Sequence, residues 1–218
     1  MAQKKEVIDL YTADRIPTGQ TILRGDKPPA DRYRLVVHVC IFNSKGEMLI
    51  QKRKDDIVRW PGYWDVSVGG HASSGDTSQA AARRETKEEL GLSIEFDAIR
   101  PVLTVHFPEG FDDFYVLPMD VKAGELTLQK EEVAAVRWAG QAEIEAMIDD
   151  GSFIPYQKGL IDYLFFSRSG KHAAAGKRLG FSLQVQYPVR RQGVLLGEFR
   201  RHRHRRTGGS SGRVGTAW

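Results

Sequence analysis

Gly70-His71-Ala72-Ser73-Ser74-Gly75-Asp76-Thr77-Ser78-Gln79-Ala80-Ala81-Ala82-Arg83-Arg84-Glu85-Thr86-Lys87-Glu88-Glu89-Leu90-Gly91-Leu92 runs from a glycine turn into a helix that crowds three glutamates near its end. Residues three and four apart share one helical face, so Glu85, Glu88 and Glu89 gather their carboxylates although like charges there repel. A cation between them would relieve that repulsion. The spacing predicts Asp76 as N-cap, with Gln79 three residues later completing a capping box, and Gly91 as the left-handed stop. Ala80, Ala81 and Ala82 favour helix, and Ala82, Thr86 and Leu90 give a thin apolar stripe that leaves the acidic face free. Arg84 stands one turn before Glu88 and is placed to hold its rotamer. Three hard oxygen ligands, with Gly70 able to lend a carbonyl, suit Mg²⁺ or Mn²⁺. The competing reading is an ordinary solvated face of Glu, Lys and Arg.

The full spacing decides between them. Gly70, five residues, Asp76, seven residues, then Arg84-Glu85-Thr86-Lys87-Glu88-Glu89-Leu90-Gly91-Leu92 closely resembles the Nudix box, Gly-x5-Glu-x7-Arg-Glu-U-x-Glu-Glu-x-Gly-U with U apolar. Two positions depart: Asp76 replaces a glutamate and Thr86 an aliphatic residue. The resemblance implies an α/β fold, an α/β/α sandwich with a mixed central sheet, and hydrolysis of a diphosphate linked to another moiety. It also implies Glu85, Glu88 and Glu89 as metal ligands, Arg84 as their orienter and Gly70 as a carbonyl ligand, with Mg²⁺ or Mn²⁺ as cofactor. Family members differ in the source of the general base, and Glu85, Glu131 and Glu132 are the candidates here.

The flanking sequence agrees with that fold. Arg34 to Phe42 is rich in Val and Ile, and Asn43-Ser44-Lys45-Gly46 turns it into a strand from Met48 to Lys52. Further strands are expected at Tyr63 to Val68, Ile99 to His106, Phe114 to Val121 and Val133 to Trp138. Helices are expected at Gln141 to Ile148 and at Tyr156 to Phe166, the second with a stripe of Leu160, Ile161, Leu164 and Phe165. Arg53, His71 and Trp64 are candidate substrate contacts: an arginine at a strand end, a histidine beside a glycine loop, and an aromatic that either stacks on a base or packs under the loop. His38, between Val37 and Val39, reads as a strand-face histidine with a structural partner. Asp112 and Asp113 read as turn formers rather than an outer metal pair.

Ile16-Pro17-Thr18-Gly19, the strand Leu35 to Phe42, and Trp60-Pro61-Gly62-Tyr63-Trp64 ahead of Gly70-His71 also resemble the Nudix subfamily that includes isopentenyl diphosphate isomerase. That isomerase needs a thiol just before the Gly-His pair, where this chain has Gly69. Its upstream metal histidines lack counterparts too, with Arg34 at the expected place. The single cysteine, Cys40, lies in an apolar strand and reads as a small buried hydrophobe. Hydrolysis is therefore expected over isomerisation, and over a nucleotide- or RNA-binding module with weak catalysis.

Composition divides the chain. Residues 168–218 hold twelve Lys or Arg against one acid, Glu198, so +11 of formal charge sits there and the preceding residues carry −7 of the total of +4. The expected organisation is an N-terminal extension at 1–30 packing on the domain, a Nudix domain at 31–167 and a basic, low-order tail at 168–218 that cannot offset its ordering entropy. The tail reads as a solvated segment or as anomalous sequence, for instance a shifted reading frame, and basic runs alone are weak grounds for a nucleic-acid partner. No run approaches a transmembrane span and Met1-Ala2-Gln3-Lys4-Lys5 lacks an apolar leader, so a cytoplasmic protein is expected. Its expected partner is a small-molecule diphosphate, and dimers are frequent among similar proteins.

Overall fold

The Val- and Ile-rich Arg34–Phe42 forms β3, the centre of a mixed seven-stranded sheet. In the computed structural model residues 6–169 are described. Alternate β3 side chains go to opposite sides: Leu35, Val37, Val39 and Ile41 enter one apolar cluster, Cys40 and Phe42 the other. Both faces are therefore covered. The first cluster is closed by α1 (Ser78–Leu90), the second by α2 (Gln141–Asp149) and α3 (Lys158–Ser167). Each fully buried Leu, Ile or Phe in these layers contributes about 1.5–3 kcal/mol.

The expected hairpin leads from β3 to β4 (Met48–Arg53), with Phe42 opposite Met48 and Gly46 at φ 83° in the turn. Beyond that pair the two strands diverge. The segment expected as one strand, Tyr63 to Val68, spans the divergence and is split by it: β5 (Trp64–Asp65) pairs with β4, and β6 (Val68–His71) pairs antiparallel with β3. Ser67 bridges the split, accepting from Ile41 N at 2.8 Å and donating to Leu49 O. β7 (Leu103–Phe107) and β8 (Gly110–Pro118) follow, β8 running parallel to β3 over its whole length, and β9 (Val133–Ala139) pairs antiparallel with β4.

Several boundaries move for identifiable reasons. β8 begins at Gly110 rather than Phe114, which places Asp112 and Asp113 inside a strand and corrects their reading as turn formers. Asp113 is wholly buried, and polar partners offset its desolvation: Arg15 Nη1 and Nη2 donate at 2.9 and 2.6 Å, Ser78 Oγ and Thr104 Oγ1 at 2.6 Å each. Those bonds outweigh burial and hold its carboxyl below the usual range. The last helix starts at Lys158, two residues later than expected, and buries Ile161, Leu164 and Phe165.

The N-terminal segment, in which no strand was expected, forms a hairpin of β1 (Val7–Tyr11) and β2 (Pro17–Leu23). It meets the domain through reciprocal backbone bonds between Tyr11 and Tyr33, at 2.8 and 3.0 Å, and through the Arg15–Asp113 pair. The tail expected at 168–218 lies outside the described residues, apart from Arg168 and Ser169. Among the described residues no helix is long and apolar enough to cross a membrane.

Candidate active site

The helix α1 starts one residue later than its capping pattern suggests. Thr77, not Asp76, is the N-cap, its hydroxyl accepting from Ala80 N at 3.1 Å. Asp76 is drawn away by Ser73 N (3.2 Å) and by Arg84 Nε and Nη2 (3.1 and 3.0 Å), so the proposed Asp76–Gln79 capping box does not form. At the other end Gly91 has φ 71° and donates to Lys87 O at 3.0 Å, the left-handed stop that was expected. Thr86 is buried without strain on the polar inventory, because its hydroxyl donates to Ala82 O at 2.6 Å.

Arg84 is the hub. Besides Asp76 it donates to Glu85 Oε1 (2.9 Å), Glu88 Oε2 (3.1 Å) and His71 O (2.8 Å), fixing two of the three glutamates and the end of β6 at once. Burial works against its charge, but Glu85 and Asp76 outweigh that and raise its pKa. Glu85 is 6% exposed and Glu89 1%, whereas the Glu88 side chain is 49% exposed. The Glu89 Oε2 accepts from Gln51 Nε2 on β4 (3.0 Å) and from Gly69 N (3.3 Å). Burial pushes the Glu85 carboxyl up to about 7 against the pull of Arg84. Burial and then the charge of Glu85 push Glu89 well above the usual range, with Glu132 adding to the same field. Two buried acids that resist ionisation in one place are a local demand for positive charge.

Gly70 stands against Glu85. A Cβ there would lie 2.1 Å from Glu85 Cδ and 2.2 Å from Oε1, so only glycine lets the carboxylate rest on β6. Its neighbour Gly69 is opposite His38 in the β3–β6 register, and a Cβ at 69 would come within 3.1 Å of His38 Nδ1. Among the described residues no three His, Cys, Asp or Glu side chains converge as a ready-made cage. The donor set nevertheless fits Mg²⁺ or Mn²⁺, which take few carboxylates and complete their shell with water and phosphate oxygens. Arg84 bonds Glu85 through Oε1, and the Glu85 carboxylate itself is the group that stands over the Gly70 backbone.

The other candidates have commitments of their own. Arg53 Nε donates to Arg59 O at 3.1 Å and its Nη1 lies 3.7 Å from Asp65, commitments within the fold. His71 is held neutral, burial lowering it to about 3 with Arg24, Arg34 and Arg59 adding to the effect. The Trp64 ring is covered by the Arg137 guanidinium at 4.8 Å. His38 finds its structural partner in Asp112 (3.5 Å) and stacks on Phe114 with ring centroids 4.6 Å apart. Cys40 is fully buried and its thiol is pushed up by that burial. Glu131 is exposed and Glu132 half-buried at a turn, where Glu132 O accepts from Lys54 N. Gln51, which binds Glu89, and Glu6, 3.6 Å from Arg84, had no sequence signal because their relevance arises only across strands.

A family model for the NUDIX domain matches residues 32–157. The chain is 50% identical over 148 residues to an uncharacterized Nudix hydrolase of Listeria monocytogenes, covering 68% of this chain and 88% of the relative. It is 30% identical over 150 residues to the isopentenyl-diphosphate Delta-isomerase of Escherichia coli, covering 66% and 82% respectively. The crystal structure of a Deinococcus radiodurans protein matches with a TM-score of 0.60 at 28% identity, over 73% of this chain and 99% of that one. With half the residues shared along most of both chains in the first of these, and with the box standing on α1, the protein belongs to the Nudix hydrolase family.

Proposed function

We propose that the protein hydrolyses a diphosphate linkage in a nucleoside diphosphate derivative or related organic diphosphate, with Mg²⁺ or Mn²⁺ held by Glu85, Glu88, Glu89 and the Gly70 carbonyl. The observation that carries this is the pair of buried carboxyls, Glu85 resting on Gly70 where a Cβ would clash and Glu89 held by Gln51 and Gly69 N. When bound, such an ion neutralises the diphosphate and lowers the pKa of the attacking water. The chain's own part is positional. Arg84 sets Glu85 and Glu88, while Gln51 and Gly69 N hold Glu89. Glu85 is our choice of proton acceptor, because Arg84 bonds its Oε1 and leaves Oε2 to other partners, with Glu131 and Glu132 on the later loop as the alternatives.

Isomerisation is the lesser reading despite the likeness to the Escherichia coli isomerase. Gly69 carries no thiol, and the His38 ring stands 3.1 Å from where a Cβ would be, a tight fit for any side chain. The test is a panel of oxidised nucleotides, sugar nucleotides, ADP-ribose, dinucleoside polyphosphates and isoprenoid diphosphates, assayed for released phosphate products. Turnover of at least one, dependent on Mg²⁺ or Mn²⁺ and largely lost in Glu89→Gln, is expected. Turnover indifferent to EDTA refutes the reading, and solvent deuterium entering isopentenyl diphosphate would favour the isomerase.

A further inference from the structure

The loop between β6 and α1 carries the box from Gly70 into the acidic helix, and its conformation fixes where both stand. Most of what holds it comes from residues 6–15, outside the span matched by the family model. Ser74 N donates to Val7 O at 2.8 Å, adding a backbone bond from β1. Asp9 then grips the turn with both oxygens: Oδ1 accepts from Ser74 Oγ at 2.7 Å and Oδ2 from Gly75 N at 2.8 Å. Glu6 accepts from Ser73 Oγ and lies 3.6 Å from Arg84 Nη2, the guanidinium that sets Glu85 and Glu88. The far end of the loop is fastened by a different route. Ser78, the first residue of α1, donates to Asp113, whose carboxylate is held by Arg15 in the β1–β2 turn.

Arg15 reaches this position with φ 62°, a left-handed backbone that a non-glycine residue rarely adopts, and its guanidinium also lies 5.3 Å over the Phe111 ring. Strain of that kind persists where the surroundings over-determine it. The N-terminal segment thus touches the loop at Ser73, Ser74 and Gly75, and reaches its end through Asp113. Anionic acceptors on backbone and hydroxyl donors are the stronger class of hydrogen bond, so Asp9 and Glu6 are suited to fixing a conformation.

We infer that the N-terminal hairpin is a positioning clamp for the metal-binding helix, with Asp9 and Glu6 as positioning residues that act through the Ser73–Gly75 turn and Arg84. This rests on the metal-site reading above. Neither residue touches substrate; they set the relative placement of Gly70 and the glutamates. Residues supporting metal ligands from behind typically change affinity or activity about 10- to 100-fold when removed.

The test uses the full chain with Mn²⁺ as probe, its binding followed by the electron paramagnetic resonance of the free ion. Asp9→Ala is expected to weaken Mn²⁺ binding at least tenfold and to speed amide exchange at residues 73–76 tenfold. The far half of α1 and the midpoint of thermal unfolding stay near wild type, because Arg15–Asp113 still anchors the hairpin. Asp9→Asn, which keeps one acceptor for Ser74 or Gly75, should recover part of the affinity, the graded response that a purely structural role lacks. On a substrate from the panel, kcat falls with KM little changed. Should Asp9→Ala not fold, Glu6→Gln and Asp9→Asn carry the same measurements. Wild-type Mn²⁺ affinity in folded Asp9→Ala, or in both conservative variants where Asp9→Ala does not fold, overturns the clamp alone. A wild-type chain that binds no Mn²⁺ overturns the metal site and the clamp together.

Discussion

Replacing Gly70 by alanine tests the packing at the centre of the site. The new methyl would begin 2.1 Å from Glu85 Cδ, 2.2 Å from Oε1 and 2.6 Å from Cγ, where carbon contacts relax at about 3.5–4.0 Å. Something has to move by about 1 Å or more. If Glu85 moves, it leaves Arg84 Nη1, now at 2.9 Å, and the carboxylate no longer rests on β6. If β6 moves, the Val37–Gly70 pairing and the bond from Gly69 N to Glu89 stretch instead. Overpacking of this sort costs about 1–3 kcal/mol. At about 2–4 °C per kcal/mol for a chain of this size, the midpoint of thermal unfolding should fall by roughly 2–12 °C. Catalysis should suffer more, because a misplacement of about 1 Å in a reacting constellation costs about a hundredfold. The assay pairs a thermal melt with kcat measured at saturating Mn²⁺ on whichever panel substrate is turned over. Gly70→Ala with wild-type kcat and Mn²⁺ affinity would show that Glu85 does not act from the position described.

Three further outcomes follow from the buried acids. Burial raises the folded-state pKa of Glu85 to about 7, so its proton is bound more tightly in the folded than in the unfolded chain. The stability this contributes is full below the unfolded value and is lost as pH rises through about 7, so the metal-free protein should lose stability across that window. Metal binding should conversely strengthen from pH 6 to pH 8 and release protons, measurable by calorimetry in two buffers of different ionisation enthalpy; equal heats in both would contradict it. Asp113 has the opposite sign, its lowered pKa giving stability present above the unfolded value and lost as pH falls. Asp113→Asn should destabilise by about 1–3 kcal/mol in urea titrations, since the amide keeps one accepting oxygen, loses the charge, and turns a donor toward one Arg15 nitrogen and either Ser78 or Thr104. A variant within a few tenths of wild type would mean that the donors left without an acceptor find other partners and the network is dispensable.

The sequence by itself determined the chemistry of α1: helical spacing puts Glu85, Glu88 and Glu89 on one face, Arg84 within reach of Glu88, and Gly91 at the stop, all matters of residues a few positions apart. It also determined β3 and its hairpin, because an unbroken apolar run fits a strand covered on both sides. Local pattern failed where a long-range partner outbid it. Asp76 has the composition of an N-cap, yet Arg84 claims it, and Asp113 looks like a turn residue until Arg15, ninety-eight positions earlier, neutralises it inside a strand. The split of Tyr63–Val68 depends on how β3 and β4 diverge, and no window of residues encodes that angle. The tertiary structure alone decided that Gln51 reaches Glu89, that Gly70 leaves room for Glu85, and that the first strand fastens the loop leading into α1. Contacts between distant segments form only once the sheet is assembled, and the residues making them carry no local pattern that announces the partner.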